Sequence, residues 1–303
     1  MLLNDNKLKL GLAIYKYKIE AVLLDKSFNI LNYASSELPK GFDPLPHAAE
    51  LVKLNFPKQA IYKLHSIGVA FPAYIDSDHK YINESYYFPE YKERAFTEEL
   101  MLALQINPYS YLANLAECDF AYGRTFSNIK NDLMTLDLKQ GVFAKVQTAS
   151  WQKIVDWEKI GHTTLSVTEK IACVCGRTDC LETQAGDIAL AKKFANKYDF
   201  KNSYIQNFLT ALDNNDSKAR LLFKKNLECL FSGIALEQNF HNLTFSLLIA
   251  TNISEKFLFD FIDFSKKYLK KFKSTNVEII IADSSSTVIG AALAYDFYYN
   301  TIS

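Results

Sequence analysis

Three of the five cysteines lie close together, at Cys173, Cys175 and Cys180, and His162 precedes them. Three thiolates and one imidazole make a complete tetrahedral ligand set for zinc. Gly176 falls inside the C-x-C-x4-C spacing, where a tight turn around a metal favours a residue without a Cβ. We therefore predict a structural zinc site. The alternatives are a set of buried free thiols and a disulfide, and the disulfide is disfavoured because the chain shows no sign of secretion.

The same stretch, GHTTLSVTEKIACVCGRTDCLE over residues 161–182, resembles the signature of the ROK family. That family (repressors, open reading frames, kinases) contains bacterial sugar kinases and sugar-responsive repressors. The resemblance implies that the histidine and the three cysteines bind structural zinc, and that His162 and Glu182 also face a sugar. One position departs from the signature, because Asp179 replaces the glycine that is usual before the last cysteine. We expect this change to alter a turn and to leave the metal ligands in place.

The resemblance also covers the rest of the chain, weakly except at residues 286–296, and it implies a fold. That fold is α/β, two-lobed and actin-like or hexokinase-type (RNase H-like), with a cleft between the lobes. We expect an N-terminal lobe over residues 1–112 and a C-terminal lobe with the zinc motif over residues 113–303. In the last helix, Gly290 and its neighbouring alanines resemble a family segment that packs against the sheet, so this helix is expected to return to the first lobe.

Residue patterns predict elements that agree with such a fold. Short apolar and β-branched runs at hairpin spacing over residues 8–32 predict two or three strands. An amphipathic helix is expected over residues 44–64, interrupted near Pro57, and a strand over residues 64–76. Further predictions are a helix at 96–106, a strand pair at 135–147, helices at 186–198, 202–213, 216–238 and up to about 272, and strands at 243–254 and 277–282.

Glycine is scarce where nucleotide chemistry would need it. The chain has 10 glycines, roughly 3% of its residues against about 7% in average proteins, and none are adjacent or separated by one residue. Phosphate-binding loops use glycine for positive φ and close backbone approach. ROK kinases contact ATP phosphates through three glycine-containing segments. The corresponding stretches here, 13–17, 137–143 and 250–252, have lost their acid or their glycines, apart from Gly141.

The resemblance also implies a catalytic base. In ROK kinases a strand ends in E-N-D-A-N, and the aspartate of this motif takes the proton of a sugar hydroxyl. In the register A-E-C-D-F-A, Asp119 falls on that aspartate and Cys118 on the asparagine. A carboxylate within hydrogen-bond reach can do this chemistry as the phosphoryl group is transferred. The ordinary alternative is an aspartate that caps a helix.

A charge reversal lies in the implied sugar site. Lys159 replaces the glutamate of the family's G-E-x-G-H segment, which grips sugar hydroxyls. Lys159 is expected to pair with Asp119 or with Glu182, which would weaken the paired carboxylate as a base. The lysine also suggests an anionic ligand. The implied substrate-binding residues are Asp119, Lys159, His162 and Glu182.

Composition limits the remaining options. Lys+Arg and Asp+Glu number 34 each, so the formal net charge is zero and gives no general attraction to nucleic acid or to an anionic membrane. We expect a cytoplasmic protein, because there is no signal peptide, no long apolar run, and a cysteine set typical of a reducing compartment. No winged-helix DNA-binding segment fits before Leu10, which argues against the repressor branch.

The leading hypothesis is a ROK-type pseudokinase that contains structural Zn2+ and binds a sugar or an anionic sugar-like ligand. The runner-up is an active kinase that transfers phosphate from Mg-ATP to a hexose or an N-acetyl amino sugar, with Asp119 as base. The third hypothesis is an interaction scaffold. A homodimer is expected by analogy with the family. Whether the chain is an enzyme stays open at this point.

Overall fold

The computed structural model describes residues 7–127, 129, 132–147, 157–165, 170–196, 202–237, 244–253, 262–263, 265–268, 270 and 276–300. The chain divides into two compact units. The first unit takes residues 1–127 and 285–303, and the second takes residues 128–284. The division thus falls after Ser127, whereas the sequence suggested a boundary near residue 112. It falls later because the end of the strand Tyr109–Asn114 and the helix Leu115–Phe126 pack within the first unit.

The first unit is a five-stranded sheet with helices. Its sheet has the order β3-β2-β1-β4-β7, in which β1, β2 and β3 form an antiparallel meander and β4 and β7 continue parallel to β1. The strands are β1 Leu8–Ile14, β2 Lys18–Leu24, β3 Ile30–Glu37, β4 Leu64–Phe71 and β7 Tyr109–Asn114, with the short pair β5 Tyr74–Ile75 and β6 Ile82–Glu84. The helices are α1 Pro44–Asn55, α2 Lys58–Ile61, α3 Phe96–Leu104, α4 Leu115–Phe126 and α9 Ser286–Asn300.

The residues of β1 alternate between two environments because successive side chains of a strand point to opposite faces of the sheet. Leu8, Leu10 and Leu12 join the core cluster that contains α1 and α3. The opposite face of the sheet is contacted by α9, and there Gly11 leaves no space, because a Cβ on it would overlap the carbonyl oxygen of Val288. Gly68 of β4 makes the same kind of approach to α9, so two glycines in adjacent strands let this helix lie close to the sheet.

The second unit contains a four-stranded sheet of order β11-β10-β8-β9. Strand β10 pairs parallel with both β8 and β11, while β8 and β9 pair antiparallel. Its strands are β8 Leu133–Asp137, β9 Phe143–Gln147, β10 Thr244–Ala250 and β11 Asn276–Ala282. Its helices are α5 Leu181–Ala185, α6 Asp187–Ala195, α7 Asn202–Asp213 and α8 Ser217–Glu237, with a 3-10 helix at Trp157–His162. Apolar side chains of α8, including Leu227 and Leu230, are buried in the core of this unit.

Most predicted elements are present in the structure, including the β1–β3 hairpins, the break near Pro57 and the strand pair around Gly141. The helix predicted to run to about residue 272 lies mostly outside the described residues. Among the described residues, no helix is long and apolar enough to cross a membrane. The element that differs most is the one that carries Asp119, and its position bears on the candidate site.

Candidate metal centre and the ends of the strands

The histidine and the three cysteines predicted as ligands come together in the second unit. One ligand atom from each of the residues His162, Cys173, Cys175 and Cys180 lies within 4.8 Å of the other three. Cys173 Sγ lies 3.4 Å from His162 Nδ1, and Cys175 Sγ lies 3.6 Å from Cys180 Sγ. A tetrahedral zinc ion with Zn–S bonds of about 2.3 Å needs sulfur–sulfur edges of about 3.8 Å. The donor set and its spacing therefore suit zinc.

Short backbone contacts hold this cluster in shape. The Cys173 N–H donates to the Arg177 carbonyl (2.8 Å), and the Gly176 N–H donates to the Cys173 carbonyl (3.0 Å). Gly176 has a φ of 83°, a left-handed conformation that glycine adopts without steric cost. The last cysteine, Cys180, immediately precedes α5 and forms an isolated β-bridge with Thr164. The two ends of the ligand stretch are thus joined by the backbone.

The environment of the ligands favours a bound cation. Burial, together with the positive charges of Arg177 and Lys159, lowers the pKa of His162 to about 4, so its imidazole is neutral near pH 7. Burial raises the pKa of the Cys180 thiol to about 11. Burial also raises the pKa of Cys175, but hydrogen bonds that involve Arg177 outweigh it and leave this pKa below its ordinary value. A bound metal ion would stabilise the buried thiolates, because its positive charge offsets the cost of removing them from water.

Asp179 shows how the departure from the family signature is accommodated. Its φ is 62°, in the left-handed region where glycine is favoured and where aspartate is tolerated more easily than most residues. Two backbone hydrogen bonds hold Asp179 in place. The Asp179 carbonyl accepts from the Leu165 N–H (2.8 Å), and the Asp179 N–H donates to the Ile171 carbonyl (3.2 Å). The turn therefore retains a glycine-like conformation, and the four ligand residues stay together.

Glu182 lies beside the ligand cluster. It is in the first turn of α5, and its carboxylate is buried. Its Oε1 lies 2.9 Å from Cys173 Sγ, which donates to it, and 3.7 Å from His162 Nδ1. Lys159 is exposed on the 3-10 helix that leads to His162. The structure thus brings Glu182 and His162 together, while the pairing of Lys159 with Asp119 or Glu182 stays a prediction.

Asp119 lies in the first unit, and its predicted position at the end of a strand is wrong. Strand β7 ends at Asn114, and α4 begins at Leu115, because the Asn114 side chain accepts from the Glu117 N–H (2.8 Å) and caps the helix. Asp119 falls in the second turn of α4 and is fully buried. Its Oδ1 accepts from the hydroxyls of Ser286 (2.6 Å) and Thr287 (2.9 Å) at the start of α9.

The turn after β1 is filled by side chains. The Tyr15 N–H donates to the Lys18 carbonyl (2.8 Å), which closes a tight hairpin between β1 and β2 without glycine. Tyr15 is buried, and the Lys16 ammonium lies 5.4 Å from the ring centroid of Tyr17 and 5.5 Å from that of Tyr87. The bulky turn expected from residues 13–17 is therefore a packed hairpin with its lysine held over aromatic rings.

A polar network that the sequence analysis missed joins the carboxyl ends of β8 and β10. Asp187, the first residue of α6, accepts from the Asn252 N–H (2.6 Å) and from the Thr251 hydroxyl (2.9 Å), both at Oδ2. The Asn252 amide Nδ2 donates to the same carboxylate (3.1 Å) and to the Lys139 carbonyl (3.2 Å). Thr251 and Asn252 belong to the stretch 250–252, for which the sequence indicates only the lack of glycine. The sequence indicated the role of Asp187 only weakly, because an aspartate after a glycine at the start of a helix is a common helix feature.

Residues 156–295 match the ROK family. No curated protein sequence matches the chain. A ROK family glucokinase from Streptomyces griseus, solved in complex with glucose and AMPPNP, has a TM-score of 0.73 and 16% identity, over 94% of this chain and 98% of the glucokinase chain. A ROK hexokinase from Thermus thermophilus has a TM-score of 0.62 and 18% identity, over 97% of this chain and 99% of its own.

A regulator is also among the similar structures. It is a ROK family transcriptional regulator, a homologue of the E. coli MLC protein, with a TM-score of 0.63 and 16% identity. The similarity covers 97% of this chain and 78% of the regulator chain. At these identities the three likenesses establish the fold, which is the α/β, actin-like fold of the ROK sugar kinases.

Proposed function

We propose that this chain, which carries the ROK family match over residues 156–295 within a ROK-type fold, is a zinc-containing sugar-binding protein without ATP-dependent kinase activity. The family match and the solved kinases support a carbohydrate ligand. The residues of this chain support the proposed absence of kinase activity, and the main observation is which residues stand at the end of β7.

At the end of β7, the position that corresponds to the motif's aspartate holds no base. When the strand end is used as the reference, Asn114 falls on the asparagine of the E-N-D-A-N motif and Leu115 falls on its aspartate. Leu115 cannot accept a proton. Asp119 is buried one turn further along α4, where two hydroxyls hold its Oδ1 and no hydrogen-bond partner within the described chain reaches its buried Oδ2. A base must reach the hydroxyl that it deprotonates, and we assign Asp119 a role in holding α4 to α9.

The segments expected to meet phosphate support the same conclusion. Phosphoryl transfer depends on donors aimed at the phosphate oxygens, and losing one such donor typically costs on the order of 100-fold or more in rate. Here the turn after β1 is packed with tyrosines, and the N–H of Asn252 is engaged by Asp187. Asp137 ends β8 as a fully buried acidic residue, and its carboxylate accepts the Lys139 N–H (3.1 Å). A phosphate at the ends of β8 and β10 would be repelled by the carboxylates of Asp137 and Asp187.

Zinc is proposed as a resident structural ion. His162, Cys173, Cys175 and Cys180 would hold it, and the ion would join the 3-10 helix to the loop that leads into α5. When bound, zinc supplies positive charge that stabilises the thiolates and cross-links a loop that has little regular structure. Because Glu182 directly follows this loop, the ion would also fix the position of its carboxylate.

Ligand binding is proposed to use Glu182, His162 and Lys159 in the second unit. A buried carboxylate beside a neutral imidazole can bind sugar hydroxyls as an acceptor and a donor. The exposed ammonium of Lys159, where the family has glutamate, favours a sugar acid over a neutral hexose. The scaffold hypothesis and the homodimer stay predictions, and no described contact bears on them.

The primary test is ADP release from Mg-ATP with a panel of hexoses, amino sugars and N-acetyl amino sugars, on zinc-replete protein. We expect no turnover above the enzyme-free rate, and Asp119→Asn should leave this result unchanged. Any sugar-dependent turnover would show that our proposal is wrong, and its disappearance in folded Asp119→Asn would identify Asp119 as the base.

Ligand binding is tested separately by calorimetry with neutral sugars and with sugar acids. Glu182→Gln should weaken binding at unchanged zinc content, whereas Glu90→Gln, an exposed glutamate of the first unit, should not. Lys159→Glu should shift the preference from sugar acids towards neutral sugars. If neither class of sugar gives heat or a melting shift with the wild-type protein, the sugar-binding part of the proposal fails.

A further inference from the structure

The carboxylate of Asp187 is surrounded by donors as a bound anion would be. Its Oδ2 accepts from a backbone N–H, a hydroxyl and an amide, those of Asn252 and Thr251, and its Oδ1 accepts a second contact from the Thr251 hydroxyl (3.1 Å). Asp187 is 5% exposed and Thr251 is 2% exposed. Burial raises the pKa of Asp187 to about 6, the hydrogen bonds from Asn252 and Thr251 and the positive charge of Lys139 oppose this rise, and the carboxylate is ionised near pH 7. The hydrogen bonds thus place three different donor groups around one buried carboxylate.

The position of this arrangement is where open α/β sheets bind ligands. Strands β8 and β10 are parallel, and Asp187 sits beside their carboxyl ends, where crevices for ligands form. Two hydrogen bonds connect the loop after β8 to its surroundings. The Asp187 N–H donates to the Leu138 carbonyl (2.8 Å), and the Asn252 side chain in the loop after β10 donates to the Lys139 carbonyl. Donors from the β10 loop and a cation from the β8 loop therefore converge on one anionic group.

The neighbouring charges define what the site can accept. The Lys139 ammonium donates to the Ser284 carbonyl (2.9 Å), so the cation is oriented by the loop after β11. The carboxylate is supplied by α6, a separate element from the loop after β10, whose Thr251 and Asn252 donate to it. One substitution in α6 can therefore remove the anion without changing any of its donors.

We propose that Asp187 is a built-in anion that occupies a phosphate-type site at the carboxyl ends of β8 and β10 and thereby excludes free phosphate and nucleotide phosphates. This inference rests on the proposed function, the absence of kinase activity. It adds a physical reason for that absence, because Asp187 would keep nucleotide phosphates out of the site. In the wild-type protein a phosphate would have to displace the carboxylate or lie against it, and like charges at contact distance disfavour binding.

The test is the binding of inorganic phosphate, pyrophosphate and ADP to zinc-replete wild-type protein and to Asp187→Ala, by calorimetry and by melting shift. We expect no binding to the wild type and an affinity for phosphate at least about tenfold tighter in the variant, since the donors remain and the competing charge is gone. The matched control is Asp216→Ala, which removes another carboxylate that accepts a backbone N–H at the start of a helix in the same unit (Ala219 N–H, 2.8 Å).

Each outcome decides the proposal. Phosphate binding by Asp187→Ala but not by Asp216→Ala supports it, and a folded Asp187→Ala that binds none of the three anions overturns it. If Asp187→Ala does not fold in anion-free buffer, recovery of folded protein on addition of phosphate supports the proposal, and no recovery counts against it. Measurable ADP binding to the wild type, with the same affinity as to the variant, also overturns it.

These outcomes are separable from those of the proposed function. Sugar-dependent turnover of ATP by the wild-type chain would refute the absence of kinase activity. Failure of Asp187→Ala to bind phosphate, with an inactive wild type, would refute only the built-in anion. The two experiments use different variants and different readouts, so neither result depends on the other.

Discussion

The hydroxyl of Ser286 donates a 2.6 Å hydrogen bond to Oδ1 of Asp119, a residue 167 positions earlier in the chain. This bond joins the start of α9 to the second turn of α4, and the Thr287 hydroxyl reinforces it. All three residues are buried. The carboxylate of Asp119 thus accepts two hydrogen bonds that connect α4 to α9 within the first unit.

The first prediction concerns the stability of this contact. Asp119→Asn should lower the free energy of unfolding by about 1–3 kcal/mol, because an amide places an N–H donor in a buried site and weakens two charge-assisted bonds. Urea denaturation of the first unit measures the effect. Asp78→Asn, an exposed aspartate of the same unit, is the control and should change the stability by less than about 0.5 kcal/mol. Equal stabilities of the two variants would contradict the role that we assign to Asp119.

The second prediction concerns zinc. Cys175→Ser should lower the zinc content from about one ion per chain towards zero, since four-coordinate structural sites lose most of their affinity with a ligand. The melting temperature should fall by roughly 6 °C or more, as expected for a loss of about 3 kcal/mol. Elemental analysis and calorimetry measure both. Cys229→Ser, a half-buried cysteine of α8 outside the cluster, should keep full zinc content. An unchanged zinc content in Cys175→Ser would rule out the proposed ligand set.

The third prediction concerns the turn before Cys180. Asp179→Gly should raise the free energy of unfolding by about 0.5–1 kcal/mol, because glycine adopts a φ of 62° without steric cost and removes a buried carboxylate oxygen that lacks a hydrogen-bond partner in the described chain. Asp179→Ala keeps the Cβ in the left-handed region and should not be stabilised. Chemical denaturation at fixed zinc concentration distinguishes the two, and a less stable glycine variant would show that the aspartate is preferred in this turn.

The fourth prediction concerns the close contact between α9 and α4. A Cβ at position 290 would overlap the backbone carbonyl oxygen of Cys118 in α4, and neither backbone can move without disturbing its helix. Gly290→Ala should therefore destabilise the first unit by about 3 kcal/mol or more. Gly41→Ala is the control. It meets no neighbouring atom but has a φ of 82°, so it should cost only about 1 kcal/mol of backbone strain. Similar costs for the two substitutions would contradict the tight packing of α9.

The fifth prediction concerns pH. Burial raises the pKa of Asp187 to about 6 from an ordinary value of 3.8, in spite of the hydrogen bonds from Asn252 and Thr251. The folded state thus binds this proton more tightly than the unfolded state, and the resulting stability is present at low pH and is lost as pH rises through about 6.

The measurement is the stability difference between wild type and Asp187→Asn at two pH values. Relative to the variant, the wild type should lose about 1.4 kcal/mol between about pH 5 and about pH 7.5. The difference is informative because groups present in both proteins, including Lys139, cancel from it. A difference that does not depend on pH would mean that Asp187 does not titrate in this range.

The ligand cluster was predictable because it depends on local sequence. His162 and the three cysteines lie within one short stretch, and residue type alone indicates a tetrahedral metal site. The hairpins of β1–β3 and the long helix α8 were also predictable, because their apolar periodicity is a property of adjacent residues. The loss of glycine from 13–17, 137–143 and 250–252 was visible in the same way.

The position of Asp119 could not be obtained from the sequence, because it depends on where β7 ends. The cap that Asn114 gives to Glu117 sets the start of α4, and a shift of a few residues there moves an aspartate from a strand end to a buried helix face. The Asp187 network was missed for a related reason. Its partners Thr251 and Asn252 are 64 and 65 positions away, and only the pairing of β8 with β10 brings the two loops to one side of the sheet.

The sequence by itself determined which residue types this protein has for chemistry, namely a set of one histidine and three cysteines that could hold a metal ion, a ROK-type signature, and few glycines in 13–17, 137–143 and 250–252. The tertiary structure decided which carboxylates are available for chemistry. Asp119 and Asp187 look alike in a sequence, but folding buries both against donors from distant segments. Hydrogen bonds between segments far apart in the chain form only when sheet pairing and helix packing bring them together, and those contacts have no signal in local composition.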